Sequence, residues 1–168
     1  MPDVFSKRKR SEVMSRIHSR GNKDTELALV RLLRAHKISG WRRHVRVAVE
    51  SSWLSVESRK RSRNPQLAVR PDFVFRKQRT AVFVDGCFWH GCPKHATKPA
   101  NNKAFWKKKL AGNKTRDRVV NRALRRAGRV KWRGHHAAGW RVLRIWEHEL
   151  AKKNEARLLR RLTPFING

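Results

Sequence analysis

The stretch VRPDFVFRKQRTAVFVDGCFWHGCPKH, at residues 69–95, decides the fold. Residues 69–75 and 80–84 are rich in Val and Phe, and the polar segment 76–79 between them has the composition of a turn. The two runs therefore predict a β-hairpin. The second run is almost wholly apolar, which is typical of a strand buried at the centre of a sheet. Pro71 fits near the start of the first run, where a missing N–H is tolerated.

The segments around this hairpin alternate between helical and extended patterns. A helix is predicted to open at Asp24-Thr25-Glu26, with Asp24 or Thr25 as its cap, and to stop near residues 39–40. The alternation of basic and apolar residues at 41–49 predicts a strand. Three further elements follow the hairpin: a long helix at 101–126 that Gly112 can bend or interrupt, a strand at 139–146 and a closing helix at 151–162. This order, with a crossover helix before the last strand, predicts an α/β fold in which helices cover a mixed sheet.

The chain length of 168 residues suits one domain, which we place at residues 24–168. Residues 1–23 are a basic arm that is either solvated and disordered or orders on nucleic acid. Two basic stretches, near residues 50–68 and 129–138, have no clear periodicity and are interpreted as irregular insertions.

Charge limits the partners of this chain. Lys and Arg total 43 and Asp and Glu total 12, a formal net charge of +31, so nucleic acid is the expected partner. Seven Trp and seven Phe argue against a disordered chain. We find no apolar run of membrane-spanning length and no secretory signal, and two Cys are too few for a disulfide framework. A cytoplasmic, nucleic-acid-binding domain is therefore expected.

A short run of Cys and His predicts a zinc site. Cys87, Cys92 and His95 follow a Cys-x4-Cys-x2-His spacing, and sulfur and nitrogen are the ligands that zinc favours. His148, directly after the last strand, is the best fourth ligand, and His90 competes with it. Four protein ligands would make the site structural. The alternative is two reduced Cys beside unrelated His residues.

Two carboxylates in the predicted hairpin suggest a second metal site. Asp72 and Asp85 can approach one edge of the sheet, and paired hard oxygens are what Mg²⁺ requires near a phosphate. His90 is a candidate general base or acid, and Asp117 could hold its other ring nitrogen. The alternatives are capping, turn and ion-pairing roles for the acids, and a first-turn helix charge for Glu26.

The adjacent rings of Phe88 and Trp89 lie in a glycine-flanked loop of a cationic chain. Such rings can wedge between base pairs or stack on bases, although either ring could instead belong to the core. Four further Trp residues are interpreted as core or amphipathic packing residues: Trp41, Trp106, Trp140 and Trp146.

Four sequence blocks together resemble one protein family. RPDFVF, AVFVDGCFWHGCPKH, FWKKKLAGNKTRDR and GWRVLRIWEHEL are similar to the very short patch repair (Vsr) DNA mismatch endonucleases, over residues 5–150. The resemblance implies a restriction-endonuclease-like core of helix, three strands, helix and strand. It also implies an Mg²⁺-dependent enzyme that nicks one strand 5′ to the T of a T·G mismatch left by deamination of 5-methylcytosine.

The resemblance also assigns roles by position. It implies that Asp72 and the backbone carbonyl of Val84 bind Mg²⁺, that His90 activates water, that Asp117 orients His90 and that Glu26 acts through metal-bound water. It further implies that Phe88 and Trp89 form an aromatic wedge and that Met14 contacts the DNA from the other groove. The implied structural zinc ligands are Cys87, Cys92, His95 and His148.

The implied substrate is double-stranded DNA with a T·G mismatch, and the implied functional partners are a cytosine-5 methyltransferase and a repair polymerase. The protein is expected to act as a monomer on the bacterial nucleoid. Asp85 departs from the family pattern, which has a second His there, so its role as metal ligand or phosphate-site support is open. A zinc-stabilised DNA-binding protein without catalysis and a restriction-like nuclease without mismatch preference are the alternative functions. His135 and His136, inside the second insertion, receive no role.

Overall fold

The fold is that of a computed structural model. It describes residues 8, 12, 21–50, 66–97, 99, 101–127, 131–132, 135–136 and 139–167. Met14 and residues 51–65 of the first predicted insertion lie outside this part of the chain.

Three α-helices, two short 3₁₀ helices and eight strands make up the described elements. The helices are α1 (Glu26–Ala35), α2 (Lys103–Arg126) and α3 (Glu155–Ile166), and two short 3₁₀ helices span Glu147–Leu150 and Lys152–Asn154. The strands are β1 (Trp41–Arg43), β2 (Val47–Glu50), β3 (Gln66–Val69), β4 (Phe73–Phe75), β5 (Thr80–Asp85), β6 (Lys131–Trp132), β7 (His135–His136) and β8 (Arg141–Trp146).

The main sheet has four strands in the order β1-β4-β5-β8. The β4–β5 pair is the predicted antiparallel hairpin, with Phe73 opposite Val82. Strand β8 lies parallel to β5, and α2 forms the crossover between them. The predicted α/β class and mixed sheet flanked by helices are therefore confirmed.

Both faces of this sheet are buried, which explains why β4 and β5 are almost wholly apolar. Successive side chains of a strand point to opposite faces, so the β4 residues Phe73 and Phe75 enter one core and Val74 enters the other. The first core also takes the apolar stripes of α1 and α3: Leu29, Leu33, Leu158 and Leu162. The second takes the C-terminal end of α2 and the β2–β3 ribbon: Ala123, Leu124, Val47, Val49 and Val69.

The prediction of one strand at 41–49 was wrong. The backbone turns at His44, which has a φ of 51°, and the segment divides between two sheets. His is one of the residues that tolerate this left-handed conformation more often than most. Strand β2 then pairs with β3, so residues 66–68 are extended where an irregular loop was predicted. In the second predicted insertion, β6 and β7 pair as a two-stranded ribbon.

Several element ends also differ from the predictions. Asp72 precedes β4 rather than lying within a strand, and the closing helix begins at Glu155 because two 3₁₀ turns come first. Helix α2 passes through Gly112 without a break. The side chain of Thr25 makes no capping hydrogen bond, and the backbone N–H of Asp24 instead donates to Asn22 Oδ1 at 2.9 Å.

None of the described helices combines the length and the apolar character that crossing a membrane would need.

A core substitution tests this architecture. Phe73 is fully buried and packs edge-on against Trp41 at a centroid separation of 5.5 Å. We expect Phe73→Ala to lower the free energy of unfolding by about 3–5 kcal/mol, measured by urea denaturation. The matched control is Phe105→Ala, because Phe105 is 60% exposed, and its effect should stay within about 0.5 kcal/mol. Equal losses in the two variants would contradict the assigned core.

Candidate active site and metal centre

The candidate site lies where β5 and β8 end side by side. Asp85 pairs with Trp146 at the carboxyl ends of these parallel strands. The loop 86–90 and the turn 147–150 therefore leave the sheet at the same edge. A cleft of about 800 Å³ opens there, and its walls include the four carboxylates Glu26, Asp72, Asp85 and Asp117.

Asp72 is oriented by the neighbouring strand. Its Oδ2 accepts a hydrogen bond of 2.8 Å from the backbone N–H of Val84. Burial raises the pKa of Asp72 to about 6, and the negative charges of Glu26 and Asp85 act in the same direction against the Val84 hydrogen bond. A cation beside this carboxylate would favour its charged form.

Glu26 meets Asp72 from the first turn of α1. Its carboxylate is buried and is ion-paired with Arg43, and the Nε2 atom of His44 lies 2.9 Å from its Oε2. One ligand atom each from Glu26, His44 and Asp72 lies within 4.8 Å of the others, a spacing that a metal ion could bridge. The backbone N–H of His44 also donates to the carbonyl of Asp72, at 3.2 Å.

His90 and Asp117 form a hydrogen-bonded pair between the loop and α2. The Nδ1 atom of His90 lies 2.7 Å from Asp117 Oδ2 and 3.6 Å from Asp85 Oδ1. Burial opposes a charged ring, but the hydrogen bond to Asp117 and the charge of Asp85 outweigh it and raise the pKa of His90. The same hydrogen bond and the Arg144 charge overcome burial and lower the pKa of Asp117. With Nδ1 engaged in this way, Nε2 is the ring nitrogen left to exchange a proton in the cleft.

Asp85 lies behind this pair and is held by an arginine of β8. Arg144 donates from one terminal nitrogen to both oxygens of Asp85, at 2.7 and 2.8 Å, and its other terminal nitrogen forms an ion pair with Asp117 Oδ1 at 3.1 Å. Burial raises the pKa of Asp85, and the charges of Arg144 and His90 oppose that shift. Asp85 is thus part of a charged network with the His90–Asp117 pair.

The predicted Cys and His ligands come together beside the cleft. The ligand atoms of Cys87, Cys92, His95 and His148 all lie within 4.8 Å of one another. The register explains part of this, since Cys87 and His148 each lie two residues beyond the paired Asp85 and Trp146. His90, the competing ligand, pairs with Asp117 instead.

The spacing within this cluster fits a tetrahedral zinc ion. Zn–S and Zn–N bonds of about 2.3 and 2.0 Å separate sulfur and nitrogen ligands by about 3.5 Å. The Nδ1 atom of His148 lies 3.2 Å from Cys87 Sγ and 3.6 Å from Cys92 Sγ, and His95 Nδ1 lies 3.8 Å from Cys92 Sγ. Burial raises the pKa of Cys87, so binding a cation there would release a proton.

The loop between the two cysteines makes a tight turn against α2. Gly91 has a φ of 63°, and a Cβ atom there would lie 2.3 Å from the Lys114 side chain. The side chain of Asn113 donates to the carbonyl of Trp89 at 2.9 Å. The loop is thereby fastened to the helix that carries Asp117.

The predicted wedge residues belong to a larger aromatic cluster. The ring of Trp106, on α2, lies 5.2 Å from Phe88 and 5.9 Å from Trp89, and Phe88 lies 5.2 Å from Trp89. The exposed ring of Phe105 continues the cluster at 5.3 Å from Trp106. Trp106 therefore packs against Phe88 and Trp89, partners that its interpretation as a packing residue did not name.

Sequence reasoning also missed His44, Arg144 and Asn113. A signal for part of this set was present on α2, where Asn113, Asp117 and Asn121 recur every four residues and so share one helix face. His44 and Arg144 had no such signal, because each lies among many other basic residues.

The chain was compared with known proteins. A family model described as DNA mismatch endonuclease Vsr matches residues 44–96. The type II nicking enzyme V.NaeI of Lentzea aerocolonigenes is 49% identical over 48% of this chain and 42% of its own length. The type II nicking enzyme V.XorIIP of Xanthomonas oryzae pv. oryzae is 35% identical over 70% of this chain and 80% of its own length.

The chain belongs to the Vsr endonuclease family. The match to V.XorIIP decides this, because it covers most of that relative. A further relative, the DNA mismatch endonuclease Vsr of Escherichia coli, is 36% identical over 64% of this chain and 65% of its own length. The resemblance drawn from the four sequence blocks is thus confirmed, and Vsr membership makes this chain a DNA endonuclease by class.

The His90–Asp117 contact makes a direct prediction for this Vsr-family chain. Asp117→Asn removes the charge that favours a protonated ring, so the pKa of His90 should fall relative to the unmodified chain. Histidine NMR resonances followed against pH measure this. The control is Glu155→Gln, which removes a carboxylate paired with His36 and should leave the His90 titration unchanged. An unaltered His90 pKa in the Asp117 variant would contradict the pairing.

Proposed function

We propose that this chain nicks one strand of duplex DNA 5′ to the T of a T·G mismatch, as the first step of very short patch repair, in an Mg²⁺-dependent reaction. The observation that carries the proposal is the arrangement of the His90–Asp117 pair and the Asp72 carboxylate in one cleft. The sheet and crossover helix fit a restriction-endonuclease-like core. The enzyme would act as a monomer on the nucleoid, in the bacterial cytoplasm. A cytosine-5 methyltransferase and a repair polymerase are its proposed functional partners.

The charge balance of the cleft supports Asp72 as the metal ligand. Glu26 is ion-paired with Arg43, and Asp85 and Asp117 are ion-paired with Arg144. Within the described part of the chain, Asp72 has a backbone partner and no ion pair. Asp72 and the Val84 carbonyl would hold Mg²⁺, with Glu26 acting through its waters. When bound, the ion would stabilise charge on the phosphoryl and leaving oxygens.

The protein's own groups would carry the proton. His90 accepts a proton from the attacking water at Nε2 while its Nδ1–H donates to Asp117, which holds the ring in the required tautomer. The water oxygen bonds to phosphorus as the bond to the 3′ oxygen breaks. Lys109 and Arg116 also line the cleft and supply positive charge for the DNA phosphates.

Mismatch selectivity would come from the aromatic cluster. A T·G wobble step unstacks at a lower cost than a matched step, so Phe88 and Trp89 can enter there, and Trp106 supports both rings from α2. Met14, in the N-terminal arm, is proposed to contact the opposite groove.

The nicking reaction tests the proposal directly. We expect cleavage of a duplex with one T·G mismatch in a methylatable site, in the presence of Mg²⁺, and much slower cleavage of the matched duplex. Asp72→Asn should slow nicking by about 10³-fold, because the ion loses its charged ligand, while the Kd for DNA changes little. Asp24→Asn is the control, since Asp24 is exposed and lies outside the set that lines the cleft.

Two outcomes of this assay would favour the other functions. Equal rates on matched and mismatched duplexes would indicate a nuclease without mismatch preference. Tight DNA binding without cleavage by the unmodified chain would indicate a DNA-binding protein without catalysis.

We also propose that Cys87, Cys92, His95 and His148 hold a structural zinc ion. His148→Asn should reduce the zinc content from about one ion per chain to nearly none and lower Tm, because the ion connects the loop to the end of β8. Elemental analysis and thermal unfolding measure the two effects. His36→Asn is the matched control, since His36 pairs with Glu155 on the surface. Unmodified protein that is free of zinc and stable would contradict the site.

A further inference from the structure

Arg144 is the residue that connects the acidic groups of the cleft to one another. Its guanidinium contacts both oxygens of Asp85, one oxygen of Asp117 at 3.1 Å and the side-chain oxygen of Asn121 at 3.1 Å. These partners come from β5 and from two successive turns of α2. One side chain of β8 thus joins three elements at the site.

The donor inventory shows what this guanidinium can still do. An arginine has five N–H donors on three nitrogens, and all three nitrogens of Arg144 face protein acceptors: Nε donates to Asn121, one terminal nitrogen donates to Asp85 and the other lies 3.1 Å from Asp117 Oδ1. Its flat face also lies over the ring of Phe83, at 4.7 Å from the ring centroid. The group is therefore fixed in position and has little capacity left to bind a DNA phosphate.

The contact with Asp117 matters because of what lies on the other side of that carboxylate. Asp117 uses Oδ1 for Arg144 and Oδ2 for His90, so two partners fix the plane of the carboxylate. The plane of a carboxylate sets the direction of the hydrogen bond that orients an imidazole ring. The position of His90 Nε2 in the cleft therefore depends on Arg144 through Asp117.

Asp85 provides the anchor for Arg144. Its side chain is 4% exposed, and both of its oxygens accept from the guanidinium. Because both oxygens of Asp85 are bound to Arg144, they are not free to ligate a metal ion, which is a role that Asp72 can take.

We propose that Arg144, anchored by Asp85, is a positioning residue for the His90–Asp117 pair. This inference rests on the proposed nicking function and adds that Asp85 supports the general base and does not ligate the metal. Arg144 acts mainly by placing the ring of His90, and its positive charge contributes less.

Kinetics separate this role from DNA binding. We expect Arg144→Gln to slow single-turnover nicking of the T·G duplex by about 10²-fold at saturating enzyme, because misplacing a reacting group by about 1 Å has that effect. The Kd for the duplex should change no more than in the control Arg141→Gln, which removes the same charge from the same strand. Arg141 donates to the carbonyl of Pro164 at 2.7 Å, far along β8 from the cleft.

The conservative variant distinguishes placement from charge. Arg144→Lys keeps the charge, but an ammonium group cannot span Asp85, Asp117 and Asn121 in one plane, so nicking should remain slow. Recovery of the full rate in Arg144→Lys would overturn the proposal, as would weaker DNA binding with an unchanged saturated rate in Arg144→Gln.

A double variant that lacks the buried ion pair tests whether slow nicking results only from loss of folding. Asp85→Asn combined with Arg144→Gln leaves no unpaired buried charge, so this double variant should fold, bind DNA and nick slowly. Full nicking by the double variant would also overturn the proposal.

A spectroscopic readout keeps the inference separate from the proposed function. In the unmodified protein we expect the Nδ1 proton of His90 to be protected from exchange and visible by NMR, and in Arg144→Gln we expect it to be lost. If the unmodified chain nicked no DNA, the proposed function would fail, and this signal alone would decide the role of Arg144. Retention of the His90 Nδ1 proton signal in Arg144→Gln would overturn the positioning role of Arg144.

Discussion

The parallel pairing of β5 with β8 is the constraint on which the rest of the structure depends. It sets Asp85 beside Trp146, so the loop with Cys87 and the turn with His148 leave the sheet together. The side-chain period of a strand is two, so a slip of one residue would turn Arg144 away from Asp85 and into the other face. The Cys-His cluster and the cleft network both follow from one register.

This strongly cationic chain gathers acidic groups at the candidate site. Within the described residues, four acidic side chains line the cleft, in a chain that has 12 acidic residues and a net charge of +31. Arg43 and Arg144 carry two positive charges and so offset half of the formal negative charge of these four carboxylates, which limits repulsion of an approaching phosphate. The surrounding positive charge favours binding of DNA of any sequence, and the arrangement inside the cleft is the basis of the proposed chemistry.

The sequence predicted the elements that have strong periodicity or dense chemistry. The β4–β5 hairpin, α2 and the Cys-His cluster were all predicted, because apolar runs and short ligand spacings are local features. The turn at His44 was not, since a single left-handed residue leaves the alternating pattern unchanged. Arg144 was not singled out either. Its importance comes from partners 23 and 59 positions away, and no local pattern reports such contacts.

Helix α2 has one more consequence for the whole enzyme. The same unbroken helix carries Trp106 of the aromatic cluster near one end, Asp117 near its middle and the core residue Leu124 near the other end. Eleven residues separate Trp106 from Asp117, which is about 16 Å along a helix. If the aromatic rings bind at the altered base step, the length of this helix sets the distance between the base pair that is recognised and the phosphodiester that is cut.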